Sequence, residues 1–137
     1  MSRFQRDIIV RFEHCDPAGI MFYPRFFALV NEVTEDWFAS LGRSFKALHV
    51  EQRKGVPTVK LDAEFVRPVR IGDRVIQTLR VSHLGGASCR LQHEASVAGA
   101  PVAHFEHTIV YVDLDTMKPA PWPHDLRTAM AAYEDHL

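Results

Sequence analysis

One stretch of the chain, residues 23–41, carries an apolar stripe with the period of an α-helix over a length that no other stretch matches. Apolar side chains recur there every three or four positions, which places them on one broad helical face. They are Tyr23, Phe26, Phe27, Val30, Val33, Trp37, Phe38 and Leu41. Pro24 suits the helix start, where its missing N–H would have no partner, and Gly42 suits the C-terminal cap. The pattern predicts one long helix with a wide face to bury.

The rest of the chain predicts mainly β-strands. Residues 8–12 are β-branched and aromatic and favour a first strand. Residues 59–65 alternate apolar and charged side chains, which predicts a half-buried strand. Short turns separate three further candidates and favour antiparallel hairpins. The remaining predictions are strands at 75–81, 89–97 and 102–112, a loop with a short helical piece at 44–55, and a final helix at about 124–135.

These elements predict a single α+β domain spanning residues 1–137. A five-stranded antiparallel sheet would wrap the long central helix, and a short C-terminal helix would follow it. The free edges of such a sheet need protection, which edge-to-edge pairing of two copies would provide.

Charge and composition narrow the function classes. A formal net charge of -1 without a basic stripe disfavours nucleic-acid binding and recruitment by an anionic membrane. No apolar run approaches the roughly 20 residues that cross a bilayer, and the start lacks the apolar run of a secretory signal. The two isolated cysteines, Cys15 and Cys89, favour a reducing compartment. We therefore expect a soluble cytoplasmic protein.

A carboxylate, Asp16, lies on the turn sequence Asp-Pro-Ala-Gly just before the predicted helix. The free N–H groups and positive dipole end of a helix start can stabilise an anion, so the pair suits attack on an activated acyl group. The same four residues also form ordinary turns. His14 could orient Asp16 or be a surface residue, and Cys15 lacks the partner set of a nucleophile.

Asp-Pro-Ala-Gly-Ile at 16–20, followed by Phe-Tyr-Pro-Arg-Phe-Phe at 22–27, resembles the hotdog-fold acyl-CoA thioesterases of the 4-hydroxybenzoyl-CoA thioesterase type. The resemblance continues through Trp37 and Phe38 to the strand entry at 56–59 and covers most of the chain. It implies a hotdog fold, an acyl-CoA substrate and no separate cofactor. It also implies obligate dimers, often dimers of dimers, with active sites at the subunit interface.

Thioester hydrolysis needs an oxygen nucleophile and a polarised carbonyl, because a thiol of pKa about 8.5 leaves without a strong acid. Asp16 could attack the carbonyl carbon or act as a base on water, and the sequence leaves both routes open. Direct attack is what the resemblance implies. The backbone N–H of Tyr23 is the predicted donor to the thioester oxygen.

Six positions are predicted to contact the substrate. Arginines suit the phosphates of coenzyme A, although the same arginines could be edge-strand surface charges. In similar enzymes an acidic residue occupies the position of Asn31 and meets an aromatic acyl group. The amide here argues against a 4-hydroxybenzoyl substrate and leaves a neutral aryl or small polar acyl group open. The predicted set is Phe22, Asn31, Thr58, Arg67, Arg70 and Arg90.

Two other functions remain open at this point. A hotdog hydratase or dehydratase needs a histidine paired with a carboxylate on or before the helix, and the helix has no histidine. A non-catalytic protein that binds acyl-CoA or an aromatic ligand would use the same cleft. His104 and Glu106 share a strand face without compact metal-ligand spacing, so no metal is expected.

Overall fold

The computed structural model describes residues 3–134. The two main helices are α1 (Tyr23–Ser40) and α2 (His124–Ala131). The strands are β1 (Phe4–Ile9), β2 (Lys54–Gly55), β3 (Thr58–Phe65), β4 (Arg74–Leu84), β5 (Ser88–Val97), β6 (Ala100–Val110), β7 (Val112–Asp113) and β8 (Lys118–Pro119). A 3₁₀ turn covers Phe12–His14, and a single π-helical segment covers Lys46–Glu51.

Five strands form one antiparallel sheet in the order β1-β4-β5-β6-β3. The three strands β4, β5 and β6 follow one another as hairpins, so the sheet centre is built from local connections. β2, β7 and β8 form a small second sheet. The predicted α+β architecture, with one long helix, a five-stranded antiparallel sheet and a short C-terminal helix, is confirmed.

Both ends of α1 follow from the sequence. Pro24 lies in the first turn, and Phe22 caps the start without a side-chain hydrogen bond. At the other end Gly42 takes a φ of 87°, which lets the Arg43 N–H bond back to the Phe38 carbonyl at 2.9 Å. That 6→1 bond closes the last turn and ends the helix where predicted.

The buried face of α1 packs on two core clusters. Its first half, with Phe26 and Val30, meets one cluster around Val75 and Phe105. Its second half, which includes Trp37, packs in a larger cluster that also contains residues of the C-terminal helix. Within the described residues no helix is long and apolar enough to cross a membrane.

The first strand lies earlier in the chain than predicted. It spans Phe4–Ile9 rather than 8–12, because the following residues leave the sheet for the 3₁₀ turn. The Arg11 N–H donates to His14 Nδ1 at 2.8 Å, which stabilises that turn in place of further pairing.

The third strand is not half-buried as its alternation predicts. All eight of its residues are exposed, including Val59 with 61% of its surface accessible. The reason is position: β3 is an edge strand that pairs only with β6. Within residues 3–134 the ring of Phe65, at the strand end, packs against Phe26 and Phe105, but Val59 stays largely uncovered.

The final helix is shorter than predicted. It ends at Ala131, and the Tyr133 carbonyl then accepts the Val81 N–H at 2.9 Å, which ties the chain end to β4. The last residue of the predicted helix, residue 135, lies outside the described residues.

Candidate active site

Asp16 lies on a tight turn between two short paired segments. Cys15 and Met21 form an antiparallel bridge, and the Asp16 N–H donates to the Ile20 carbonyl at 2.9 Å. The carboxylate atom Oδ1 accepts the Ala18 N–H at 2.8 Å, an Asx turn. No hydrogen bond to Oδ2 forms among residues 3–134, so one carboxylate oxygen is held and the other is available.

The turn is anchored to the segment that precedes β4. The Met21 N–H donates to the Val69 carbonyl at 2.7 Å, and the Ile71 N–H donates to the Gly19 carbonyl at 3.3 Å. Gly19 itself has a φ of 78°, a conformation that residues with a side chain seldom adopt. The carboxylate is therefore presented from a fixed loop directly ahead of α1.

The start of α1 provides a free backbone donor. The Arg25 N–H closes the first turn on the Phe22 carbonyl at 2.9 Å, and the Phe22 N–H donates to the His14 carbonyl at 2.9 Å. The Tyr23 N–H has no acceptor in the described part of the chain. Because the helix dipole adds partial positive charge at this end, the Tyr23 N–H suits an oxygen that gains negative charge.

His14 does not orient Asp16. Its Nδ1 accepts the Arg11 N–H, and its Nε2 lies 3.8 Å from the Glu13 carboxylate. The ring therefore stabilises the 3₁₀ turn behind the loop. The other interpretation, a surface residue, does not describe it either, because only 16% of the side chain is exposed.

Two of the cavities that α1 helps to line contain predicted site residues, whereas a third, of about 380 Å³ beside β1, contains none of the predicted substrate contacts. Of the first two, the larger has a volume of about 310 Å³ and includes Asn31 and Thr58, two of the predicted substrate contacts, in a mainly apolar lining. The smaller, of about 260 Å³, includes Tyr23 and Arg67 and lies where the first turn of α1 meets the end of β3. Asp16 lines neither cavity.

The remaining predicted contacts are spread around the molecule. Phe22 is exposed beside Tyr23, with ring centroids 5.6 Å apart. Arg70 is exposed and bridges to Ile20 in the Asp16 loop. Arg90 lies on β5, 3.8 Å from the Glu106 carboxylate, and lines neither of the two cavities. Arg67 and Arg70 therefore share the helix-start region, and Arg90 does not join them in either cavity.

A buried polar chain meets the larger cavity. Thr58 Oγ1 lies 2.7 Å from His107 Nε2, and His107 Nδ1 lies 3.2 Å from His93 Nε2. Both imidazoles are buried, and burial lowers the pKa of His93 to about 3 and that of His107 to about 4. Both rings are therefore neutral at physiological pH. His104 lies 3.7 Å from the Glu94 carboxylate and Glu106 lies 3.8 Å from the Arg90 guanidinium instead. No group of three or more metal-ligating side chains occurs among the described residues.

Comparison with known proteins decides the family. The sequence profile of the thioesterase-like superfamily matches residues 10–130. The chain belongs to the thioesterase-like superfamily. The family expected from the resemblance of residues 16–27 is thus confirmed.

Named relatives of this superfamily member act on aromatic acyl-CoA thioesters. A 1,4-dihydroxy-2-naphthoyl-CoA hydrolase of Synechococcus elongatus is 24% identical over 128 residues, which cover 93% of this chain and 94% of that protein. The crystal structure of a 1,4-dihydroxy-2-naphthoyl-CoA thioesterase from Synechocystis superposes with a TM-score of 0.86 at 24% identity, covering 94% and 96% of the two chains. A 4-hydroxybenzoyl-CoA thioesterase in complex with 4-hydroxybenzoyl-CoA gives 0.87 at 19% identity, covering 95% and 99%. These structural likenesses establish a shared fold.

Sequence reasoning missed the pairing of His93 with His107. Each histidine occupies an inward position of its strand, where its neighbours two residues away are apolar. The available signal was a histidine among the inward-facing, otherwise apolar positions of each of two adjacent strands. What the sequence could not supply was the register that brings the two rings together.

Proposed function

We propose that this thioesterase-like protein hydrolyses an acyl-CoA thioester to a free acid and coenzyme A. The observation that carries the proposal is the fixed Asp16 carboxylate ahead of α1, next to a helix start whose Tyr23 N–H is unpaired in the described chain. The 1,4-dihydroxy-2-naphthoyl-CoA hydrolases that the chain resembles along most of its length support the same reaction.

Asp16 acts on the thioester carbonyl by one of two routes. In direct attack, a carboxylate oxygen adds to the carbonyl carbon, the C–S bond breaks and coenzyme A leaves as thiolate. Water then cleaves the mixed anhydride, which releases the acid and restores the carboxylate. In the other route Asp16 removes a proton from a water molecule that attacks the carbon. In a single turnover in ¹⁸O-water, label in the Asp16 carboxylate arises only by direct attack followed by addition of water to the Asp16 carbonyl of the anhydride, so its detection identifies that route.

The Tyr23 N–H donates to the thioester oxygen as negative charge develops on it. A backbone donor at a helix start is in place before the reaction, and one such donor typically contributes on the order of 100- to 1,000-fold in rate. The role belongs to the backbone, so we expect Tyr23→Phe to retain most of the activity. Neither step uses a metal or cofactor.

The nucleotide end of coenzyme A is assigned to Arg67 and Arg70. Arg67 lines the cavity at the start of α1, and Arg70 lies beside the Asp16 loop. Guanidinium groups bind phosphate through paired hydrogen bonds. Arg90 contributes as a third candidate only where a second subunit brings it near the site.

The acyl group is an aromatic or small polar one, and it occupies the larger cavity. The cavity has apolar walls and polar groups at Asn31 and Thr58, which together suit a flat ring with a polar substituent. The relatives named for dihydroxynaphthoyl-CoA and gentisyl-CoA support this choice of substrate class.

The working unit is a homodimer, with a dimer of dimers as the next level. Asp16 lines neither of the two cavities, and Val59 and Leu61 of β3 are exposed in the single chain. A second copy placed along the β3 edge would cover them and could bring its own Asp16 loop toward the cavity. The two unpaired cysteines support a reducing, cytoplasmic location.

The first test measures thiol release from short, medium, branched and aryl acyl-CoAs by wild type and Asp16→Asn. Turnover that the folded mutant loses would support both the reaction and the residue. Turnover that survives the mutation would keep the reaction and reject Asp16. If no thioester turns over while acyl-CoA still binds, the protein is a binding protein instead.

A further inference from the structure

The chain of three side chains from His93 through His107 to Thr58 connects the protein interior to the larger cavity. His93 lies on β5 and His107 on β6, where His107 pairs with Leu91 and His93 pairs with Phe105. The two rings are therefore diagonal neighbours, with their centroids 5.3 Å apart. A β-bulge between Thr58 and Lys60 shifts the register of β3, and Thr58 lies against His107 at the cavity lining.

This series of hydrogen-bonded side chains ends, on the side away from the cavity, at an atom without a partner. His93 Nδ1 is fully buried and finds no hydrogen-bond partner within residues 3–134. His93 as a whole is only 3% exposed, so water does not reach the ring freely. With both imidazoles neutral, each ring carries one N–H and one nitrogen without a hydrogen. The hydrogen bonds along the three side chains can therefore run in either of two directions.

The unpaired atom favours one direction. If His107 donated to His93, the proton of His93 would sit on Nδ1 as a buried N–H without an acceptor. If His93 donated from Nε2, its Nδ1 would be a bare acceptor, and orphaned acceptors are more common in proteins than orphaned N–H groups. In the second arrangement His107 Nε2–H donates to Thr58 Oγ1. The hydroxyl hydrogen of Thr58 is then free to point elsewhere.

The cavity offers no competing hydroxyl hydrogen in its described lining. Thr34, the other hydroxyl residue there, donates to the Val30 carbonyl of its own helix at 2.7 Å. His49 Nδ1 lies 2.9 Å from the Phe45 carbonyl, which can only accept, so Nδ1 is the donor of that bond. Thr58 is thus the hydroxyl donor that this wall can direct at a ligand.

We propose that the His93–His107 pair fixes Thr58 as a hydrogen-bond donor into the larger cavity, where it selects aromatic acyl groups that carry an oxygen acceptor on the ring. The inference rests on the proposed hydrolysis of acyl-CoA thioesters and names a specificity-determining residue for it. His93 and His107 are positioning residues that act through Thr58. A ring hydroxyl or acetyl oxygen fits this donor, and an amino group, which mainly donates, does not.

The direction of the chain can be measured without a substrate. Nitrogen-15 NMR of the histidine rings reports which ring nitrogen carries the proton. We expect both His93 and His107 as Nε2–H tautomers at neutral pH, with the half-buried His104, on the other face of the sheet, as the internal reference. A His107 ring protonated on Nδ1 would overturn the proposal, because Thr58 would then donate to His107.

The selectivity is measured with benzoyl-CoAs that carry a hydroxyl, acetyl, amino or no group at the meta or para position. For wild type, kcat/KM is highest with the hydroxyl and acetyl compounds. Thr58→Val lowers their kcat/KM relative to unsubstituted benzoyl-CoA by about 10-fold, the usual worth of one hydrogen bond, and Thr58→Ser restores the ratio. His107→Phe lowers the same ratio, and His104→Phe, the control on the same strand, does not.

The outcomes separate this inference from the proposed function. Equal loss on every compound in Thr58→Val would assign Thr58 a structural role and reject the selection. A preference of wild type for the amino compound would also reject it. If wild type hydrolyses none of the thioesters, the proposed function fails and this selection fails with it, whichever tautomers the NMR spectra report.

Discussion

Asp16 Oδ1 accepts the Ala18 N–H at 2.8 Å, so the same carboxylate that we assign to catalysis also closes its own turn. The two roles can be separated by substitution. Asp16→Asn retains an oxygen at Oδ1 and should fold with wild-type stability, but it should lose on the order of 1,000-fold or more in kcat, because an amide is neither a nucleophile nor a base. Asp16→Ala should lose the activity and also about 1 kcal/mol of the free energy of unfolding, as a capping side chain does.

Asp73 is the matched control for this experiment. Its Oδ2 accepts the Arg70 N–H at 2.8 Å, a bond of the same length in the neighbouring loop, where the backbone donor lies three residues before the carboxylate rather than two after it. Asp73→Ala should therefore cost similar stability and leave kcat within a few-fold of wild type. Equal loss of kcat in the two alanine variants would assign both carboxylates to loop structure alone.

Gly19 is required for the conformation of the Asp16 loop rather than for space. A Cβ at Gly19 would meet no atom within 4 Å, yet the φ of 78° strains any residue with a side chain. Gly19→Ala should cost about 1 kcal/mol in unfolding free energy and reduce kcat, because the loop that holds Asp16 must shift. Gly86→Ala is the control, since its Cβ would also meet nothing and its φ is not in the left-handed region. Thermal unfolding and kcat of the two variants check this prediction.

The buried histidines predict a loss of stability in mild acid. The pKa values of about 3 for His93 and about 4 for His107 lie below the ordinary 6.5. Between each of these pKa values and 6.5, the unfolded chain therefore binds more protons than the folded protein. Stability is therefore full above pH 6.5 and falls as the pH drops toward 4. Each histidine should lower the free energy of unfolding by on the order of 1–2 kcal/mol between pH 7 and pH 5.

Denaturant unfolding at the two pH values checks this dependence. His93→Leu or His107→Leu should make the difference between the two pH values smaller, and His104→Gln, which changes a half-buried histidine of the same sheet, should not. A wild-type difference that either leucine variant leaves intact would show that other groups cause the acid sensitivity.

The exposed edge of β3 predicts self-association. Val59 is 61% exposed in a single chain, so Val59→Arg should not disturb the folded subunit. It should convert wild-type dimers or larger assemblies into monomers and reduce activity with them, because a charge on each copy would face the pairing edge. Sedimentation velocity measures the mass. Val50→Arg, at a 67% exposed valine outside β3, is the control and should leave the assembly unchanged.

Local patterns were sufficient to predict the α+β architecture, although β1 and α2 have other bounds than predicted. The helix of residues 23–41 was recognisable because its apolar spacing and its end signals, Pro24 and Gly42, agree. The hairpins β4 to β6 were recognisable because their turns are short and their strands alternate. For β3 the alternation was equally clear, but the half-burial it predicted was wrong. Alternation indicates that one face of a strand is apolar, and it does not indicate whether the same chain or another copy covers that face.

The candidate site was predictable only in part. Asp16 and Tyr23 are close in sequence, and the turn and helix between them are local structures. His93, His107 and Thr58 come from three strands, and the contact among them depends on a pairing register and on a bulge. Such offsets are properties of the assembled sheet, so no spacing within the sequence encodes them visibly.

The two cysteines of the chain differ in a way that makes the natural sequence a ready-made probe. Burial raises the pKa of the Cys89 thiol to about 12, so that thiol stays protonated and unreactive in the folded state. Cys15 is partly accessible and directly precedes Asp16. A maleimide fluorophore should therefore attach at one position without mutagenesis, and its emission would report acyl-CoA arriving at the loop in real time.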